Sequence, residues 1–130
     1  MKKLILAFFA MFFLIGCGGG SVDDTVKGFL EAGYAGDTKT AASLIYLSKE
    51  DMQDESVKPA LEGKVGMLVG EAMEVAKKHN GLKSIEIVDK NLGEDVGTVK
   101  VRIVFKDGKT IDDMMKVRKN HKGEWKVNIF

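Results

Sequence analysis

The sequence predicts an α+β fold, with N-terminal helices packed on one face of a curved four-stranded antiparallel sheet. Three observations carry that prediction. Between Val22 and Ala76 the apolar residues return three or four positions apart, the helical spacing. Beyond Asn80-Gly81 the period changes to two. The links between the alternating segments are short and rich in turn formers, so sequential strands become neighbours.

The first helix is marked by Val22, Val26, Phe29, Leu30 and Tyr34. Ser21, Asp23 or Asp24 can cap it, and the acidic pair suits the positive end of the helix dipole. Gly36 breaks it, and Asp37 is a good cap for a second helix with Ala41, Ala42, Leu44, Ile45 and Leu47 on its buried side. "SKEDMQDES", Ser48 to Ser56, is polar and reads as a loop or a frayed turn. A long helix follows over Val57–Lys78, with Pro59 in its first turn, where a missing N–H costs little. Leu61, Val65, Leu68, Val69, Ala72, Met73 and Ala76 form its apolar stripe, and packing must hold it because Gly63, Gly66 and Gly70 lower its propensity. Asn80-Gly81 tolerates the left-handed geometry that ends helices.

Four alternating segments come next. Ile85 and Ile87 alternate with Ser84 and Glu86. Val99, Val101, Ile103 and Phe105 alternate with Lys100, Arg102, Val104 and Lys106. Ile111, Asp113, Met115 and Val117 make a weaker third set, and Trp125, Val127 and Ile129 the fourth. One apolar and one polar face per strand suits an antiparallel sheet covered on one side, with Trp125 expected in the core. "KDGK" at 106–109 carries an Asp-Gly turn signal, and "NHKG" at 120–123 joins the last pair.

The first residues carry a different message. Lys2 and Lys3 precede twelve apolar residues, Leu4 to Ile15, too few for a spanning helix, which needs about 20. A cationic tip, a short apolar run and a small residue are the parts of an export signal. The alternatives are a plain secretory signal with a stray cysteine and an amphipathic anchor. "LIGC", ending at the single cysteine, resembles the lipobox of bacterial lipoproteins. That resemblance implies cleavage after Gly16 and a diacylglycerol on the sulfur of Cys17. Residues 1–17 are then a lipoprotein signal peptide, 18–21 a flexible Gly/Ser tether and 22–130 one α+β domain. Two acyl chains anchor stably where one does not. Four tether residues reach on the order of 11 Å, which holds the domain near the membrane surface. Gly18 stands where aspartate retains lipoproteins in the inner membrane. The resemblance thus implies a lipid-anchored protein outside the cytoplasm, on the outer membrane facing the periplasm in a diderm host.

Composition narrows the function. The chain has 20 Lys plus Arg and 19 Asp plus Glu. Without Lys2 and Lys3 the acids outnumber the bases by one, so no nucleic-acid partner and no polybasic membrane patch is expected. Cys17 is the only cysteine, which leaves no disulfide framework and no thiolate metal site.

"VKGFLEAGYAGDTKTAASLI" resembles the opening of nuclear-transport-factor-2-like domains. "GLKSIEIVDKN", "GTVKVRIVFKDGKT" and "KGEWKVNIF" are similar to the sheet segments of a bacterial lipoprotein family known as domain of unknown function 4878. The resemblance implies a cone in which helices close one side of a bent sheet, and it brings no agreed activity. Some members of the wider superfamily are isomerases, dehydratases or cyclases that use an aspartate or histidine in the mouth of the cone, often with a tyrosine donor.

The candidates for such a set are few. His79 ends the long helix beside Lys77 and Lys78 and reads as a solvated end residue. His121 lies in the last turn, and no carboxylates stand at ligand spacing with either histidine, so no metal and no cofactor is expected. Tyr34 and Tyr46 fall among apolar helix residues and can point a hydroxyl into a cone, although packing the ring with the hydroxyl at the rim serves equally. Asp113 shares a face with Ile111, Met115 and Val117, where full burial is costly. A bulge at "DDMM", a strand end or a functional carboxylate would each account for it. The basic face of Lys100, Arg102, Lys106, Lys116, Arg118 and Lys126 reads first as a mixed solvated sheet face, and second as a contact surface for anionic lipid head groups or an acidic partner. The expected function is a non-catalytic binding or interaction module at the cell envelope, for a small apolar ligand or a protein partner. Two alternatives stand beside it: an isomerase- or cyclase-like enzyme built on Asp113 with a tyrosine, and an assembly partner of another envelope protein.

Overall fold

The computed structural model describes residues 21–129. The expected signal peptide, the expected lipobox with Gly16 and Cys17, and residues 18–20 of the expected tether lie outside the described residues, as does residue 130. Among the described residues four helices precede four strands: α1 (Val22–Ala35), α2 (Thr38–Ser43), α3 (Lys49–Gln53), α4 (Val57–Lys78), β1 (Leu82–Leu92), β2 (Val96–Phe105), β3 (Thr110–Lys119) and β4 (Trp125–Val127). The sheet is antiparallel, in the order β1-β2-β3-β4.

The helix ends follow the capping residues. Ser21 accepts a hydrogen bond from the Asp24 N–H at 3.2 Å, and Asp37 accepts one from the Thr40 N–H at 3.1 Å. Between them Gly36 takes φ 85°, and its N–H closes α1 onto the Ala32 and Gly33 carbonyls. The polar segment after Ser48 forms the short helix α3, with Ser48 accepting from the Asp51 N–H at 3.2 Å.

The end of the second helix also departs from the sequence reading. The helix stops at Ser43, Leu44 turns the chain at φ −97° and ψ 4°, and Ile45 bridges Val127 of β4 in parallel. The Tyr46 N–H donates to the Val127 carbonyl, and the Val127 N–H donates to the Leu44 carbonyl, each at 2.8 Å. The branched and aromatic side chains of Ile45 and Tyr46 favour extended backbone, and β4 offers a free edge to receive it.

Strand β1 is longer than its alternation implied. Its register against β2 shifts between Leu82 and Ser84 and again between Ile87 and Asp89, irregularities that bend the strand. The β2–β3 ladder runs without a shift from Val96↔Arg118 to Val104↔Thr110.

The core has two parts. Val22, Val26 and Leu30 of α1 and Ala76 of α4 cover Ile85, Val99, Val101, Ile103, Phe105, Met115, Val117 and Val127 of the sheet. Ala41, Ala42, Ile45, Leu61, Val65 and Val69 form a second cluster between the helices, and Phe29 and Ile129 touch both. The buried Thr25 hydroxyl donates to the Trp125 carbonyl at 3.1 Å, which locks α1 to β4. Trp125 itself is half-buried, against the expectation of a core position. It closes the edge of the core, with the Lys119 ammonium 5.3 Å from its ring centre.

Candidate functional site

Strand β4 pairs only with Val117–Lys119 of β3, and the Asn128 N–H adds one bond to the Lys116 carbonyl. Among the described residues no strand lies on the outer flank of the first half of β3. Under that flank, between α1, α4 and β3, lies a cavity of about 330 Å³. Helix α1 contributes Phe29, Leu30, Gly33 and Tyr34. Helix α4 contributes Val65, Leu68, Val69, Glu71, Ala72 and Val75. Asp113, Met115, Ala41 and Ile129 complete the wall. Among the described residues its only polar side chains are a phenol and two carboxylates. A mostly apolar cavity with a few convergent polar groups is the usual form of a small-ligand site.

Tyr34 and Asp113 are thus brought to one cavity. The Tyr34 ring meets Phe105 edge-on, with centroids 5.5 Å apart and planes at 82°. Burial, with a smaller contribution from the Asp113 charge, raises the Tyr34 phenol above its ordinary pKa, so the hydroxyl stays protonated. Asp113 pairs with Val101 in mid-ladder, so neither a bulge nor a strand end accounts for it. It faces the helices as alternation predicts, yet remains exposed, because the open flank lets its carboxylate reach solvent. That carboxylate accepts the Met114 N–H at 2.8 Å, a donor with no strand to pair with.

Tyr46 lies elsewhere. Its ring sits 4.8 Å from the Arg118 guanidinium, in a separate cleft of about 530 Å³ that includes Asn128 and Lys64. The placement follows from the early end of α2, which turns Tyr46 away from the cone. A third cleft, about 660 Å³, lies between the α2–α3 region and the β3–β4 turn. It is lined by four lysines and four carboxylic acids, the mixture of an ordinary solvated surface.

His79 is not a free, solvated end. Its Nδ1 lies 2.8 Å from the Asp107 carboxylate, and its ring lies over Phe105 at 5.3 Å. The Asp107 N–H donates to the His79 carbonyl at 3.2 Å, and the Lys106 N–H to the Gly81 carbonyl at 2.9 Å. The C-terminus of α4 is clipped in this way to the β2–β3 turn. His121 is exposed in the last turn, which Asn120 organises by accepting the Lys122 and Glu124 N–H groups at 3.0 Å each. No group of three or more His, Cys, Asp or Glu among the described residues is arranged to hold a metal.

The clip has a pH signature. The Lys109 N–H first, and His79 second, hold the Asp107 carboxyl below its ordinary value of 3.8. A lowered folded-state pKa stabilises the fold above the unfolded value, and the benefit is lost as pH falls through the folded value. Asp107→Asn is therefore expected to lower stability at neutral pH and to converge on the native protein below about pH 4, which flattens the acid limb of the stability curve. Urea midpoints of both proteins between pH 2.5 and 6 check this. Parallel curves would show that the clip contributes nothing.

Sequence reasoning overlooked Glu71. It reads as one more solvent-facing helix residue, and only the rotation of α4 against β3 brings it to the cavity. The signal available was its position three residues after Leu68 and four before Val75, both of which line the same wall.

Helices closing one side of a bent antiparallel sheet, with a cavity under its open flank, define a nuclear-transport-factor-2-like protein. The chain belongs to the family described as domain of unknown function (DUF4878), whose model matches residues 15–128. It is similar to a crystal structure from Campylobacter jejuni provisionally named an NTF2-like transpeptidase. The TM-score is 0.71 at 26% identity, over 83% of this chain and 97% of that one. No curated protein matches the sequence.

Proposed function

We propose that the protein is a lipid-anchored, non-catalytic binding module of the cell envelope that takes a small apolar ligand into its cone. The observation that carries this reading is the cavity between α1, α4 and β3, apolar on nearly every side. "LIGC" after the twelve-residue apolar run supports the anchor. Among the described residues no helix is long and apolar enough to cross a membrane.

The non-catalytic part rests on what surrounds the cavity. Transpeptidation, the reaction in the name of the Campylobacter jejuni protein, generally runs through a nucleophilic serine or cysteine with a nearby base. The single cysteine is the one the lipobox would acylate, and none of the described residues that line the cavity is a serine or a histidine. Isomerase or cyclase chemistry needs a positioned base. Asp113 is solvent-exposed and already accepts a backbone N–H, which suits a rim group better than a base.

Gly33 supplies a direct test. It lines the cavity, and a Cβ built there meets nothing within 4 Å. Gly33→Leu fills the space and also raises helix propensity by about 0.8–1 kcal/mol. The expected result is saturable binding of 4-phenylbutan-1-ol to the native full chain in phosphatidylcholine nanodiscs, followed by the amide shifts of Tyr34, Ala72 and Val75. Binding is lost in Gly33→Leu with stability unchanged or higher. Absence of saturable shifts in the native protein refutes the ligand reading. Cys17→Ala is expected to abolish palmitate labelling and membrane partition in cells, and unchanged labelling refutes the anchor.

A further inference from the structure

We infer that the cone selects a cationic ligand: a small organic ammonium carried on an apolar body. The inference rests on the cavity reading above and adds the sign of the ligand's charge. Asp113 and Glu71 approach the same cavity from opposite walls, one on β3 and one on α4. No lysine, arginine or histidine is among its described lining residues. Neither carboxylate has a cationic partner among the described residues. Among the described residues ion pairs join His79 to Asp107, Lys90 to Asp23 and Arg102 to Asp112, and the Asp113 carboxylate accepts the Met114 N–H.

The rest of the sheet sharpens the contrast. Asp112, one residue away on the opposite face, is held by the Arg102 guanidinium through bonds of 2.9 and 3.3 Å. The carboxylate on the solvated face is neutralised, and the one over the cavity is not. Two unpaired negative charges beside a low-dielectric wall produce a negative potential at the mouth. An ammonium there is attracted by both charges, and the electron-rich face of a tyrosine ring stabilises such a cation further. The raised phenol pKa keeps Tyr34 neutral, so it adds a dipole and no third charge. The apolar body then occupies the space beside Phe29, Leu68 and Val75. An anionic ligand of the same shape meets like charge and is rejected.

Three probes of one shape separate the terms: 4-phenylbutylammonium, 4-phenylbutan-1-ol and 4-phenylbutanoate. Each is titrated into the full chain in phosphatidylcholine nanodiscs, with the cavity amides as readout and those of Lys49–Gln53 as the blank for partition into lipid. The ammonium is expected to bind at least tenfold more tightly than the alcohol, and the carboxylate more weakly than either. The double variant Asp113→Asn with Glu71→Gln is expected to erase that preference and leave the alcohol's affinity as it was. Asparagine keeps an oxygen for the Met114 N–H, and Glu71 is an exposed helix residue, so both changes preserve the fold. Equal binding of ammonium and alcohol by the native protein overturns the cationic inference and leaves the apolar-ligand reading standing. A preference that survives the double variant also overturns it, because the charge then acts elsewhere. Failure of all three probes overturns both readings.

Discussion

Replacing Phe105 with alanine is expected to remove about 3–5 kcal/mol of stability, the usual cost of deleting a large buried aromatic. The ring is fully buried and is among the largest side chains with no exposure. It sits at the end of β2, where three things meet. Tyr34 of α1 stands edge-on to it, His79 at the end of α4 lies over it, and the Asp-Gly turn begins just beyond it. Truncation leaves a cavity beneath both helices and frees the Tyr34 ring, so it is expected to weaken ligand binding at the neighbouring cone as well. Native domains hold only about 5–15 kcal/mol in total, so the variant approaches the unfolding threshold. A denaturant melt of Phe105→Ala beside Phe105→Leu checks this. Leucine preserves most of the volume and should cost less than about half as much. An alanine variant that loses under 1 kcal/mol would show that the helices do not close on this ring.

The sheet side of the fold was legible because alternation reports burial directly. Val99, Val101, Ile103 and Phe105 stand in a strict period of two, and all four are buried. The same rule placed Asp113 on the inner face. It could not tell why a carboxylate is tolerated there, because the reason is the shortness of the neighbouring strand β4, which leaves that flank of β3 open. Tyr46 was misplaced for a related cause. Ala41, Ala42, Leu44 and Ile45 suit a helix face and an extended segment alike, and the decision comes from the Val127 backbone, over eighty residues later. His79 looked solvated because its neighbours in sequence are lysines, whereas its neighbours in space are Asp107 and Phe105. Local pattern determined the elements. Contacts across the chain determined which polar groups face the cavity.

Gly97→Ala is expected to destabilise the β1–β2 hairpin by roughly 1–3 kcal/mol, the cost of forcing atoms into a packed site. Nothing in the sequence marks this glycine, which stands second in a strand pattern where glycine is usually a weakness. Its role is close approach. A Cβ there would lie 2.7 Å from the Leu92 Cδ2, 2.8 Å from the Asn91 carbonyl oxygen and 2.9 Å from the Leu92 Cα. The leucine terminus can swing away, but the backbone atoms cannot yield unless the hairpin opens. Gly97 pairs with Leu92 on one side and Val117 on the other, so the disturbance enters the ladder at two points. Val117 in turn pairs with Val127, which receives the Leu44–Tyr46 segment. The expected pattern is a lowered melting point, with faster amide exchange at Leu92 and Val96 and smaller change at Ile85 and Ile103 near the other end of the hairpin. If Leu92→Ala combined with Gly97→Ala restored full stability, the side chain alone would be responsible, and the backbone account would be wrong.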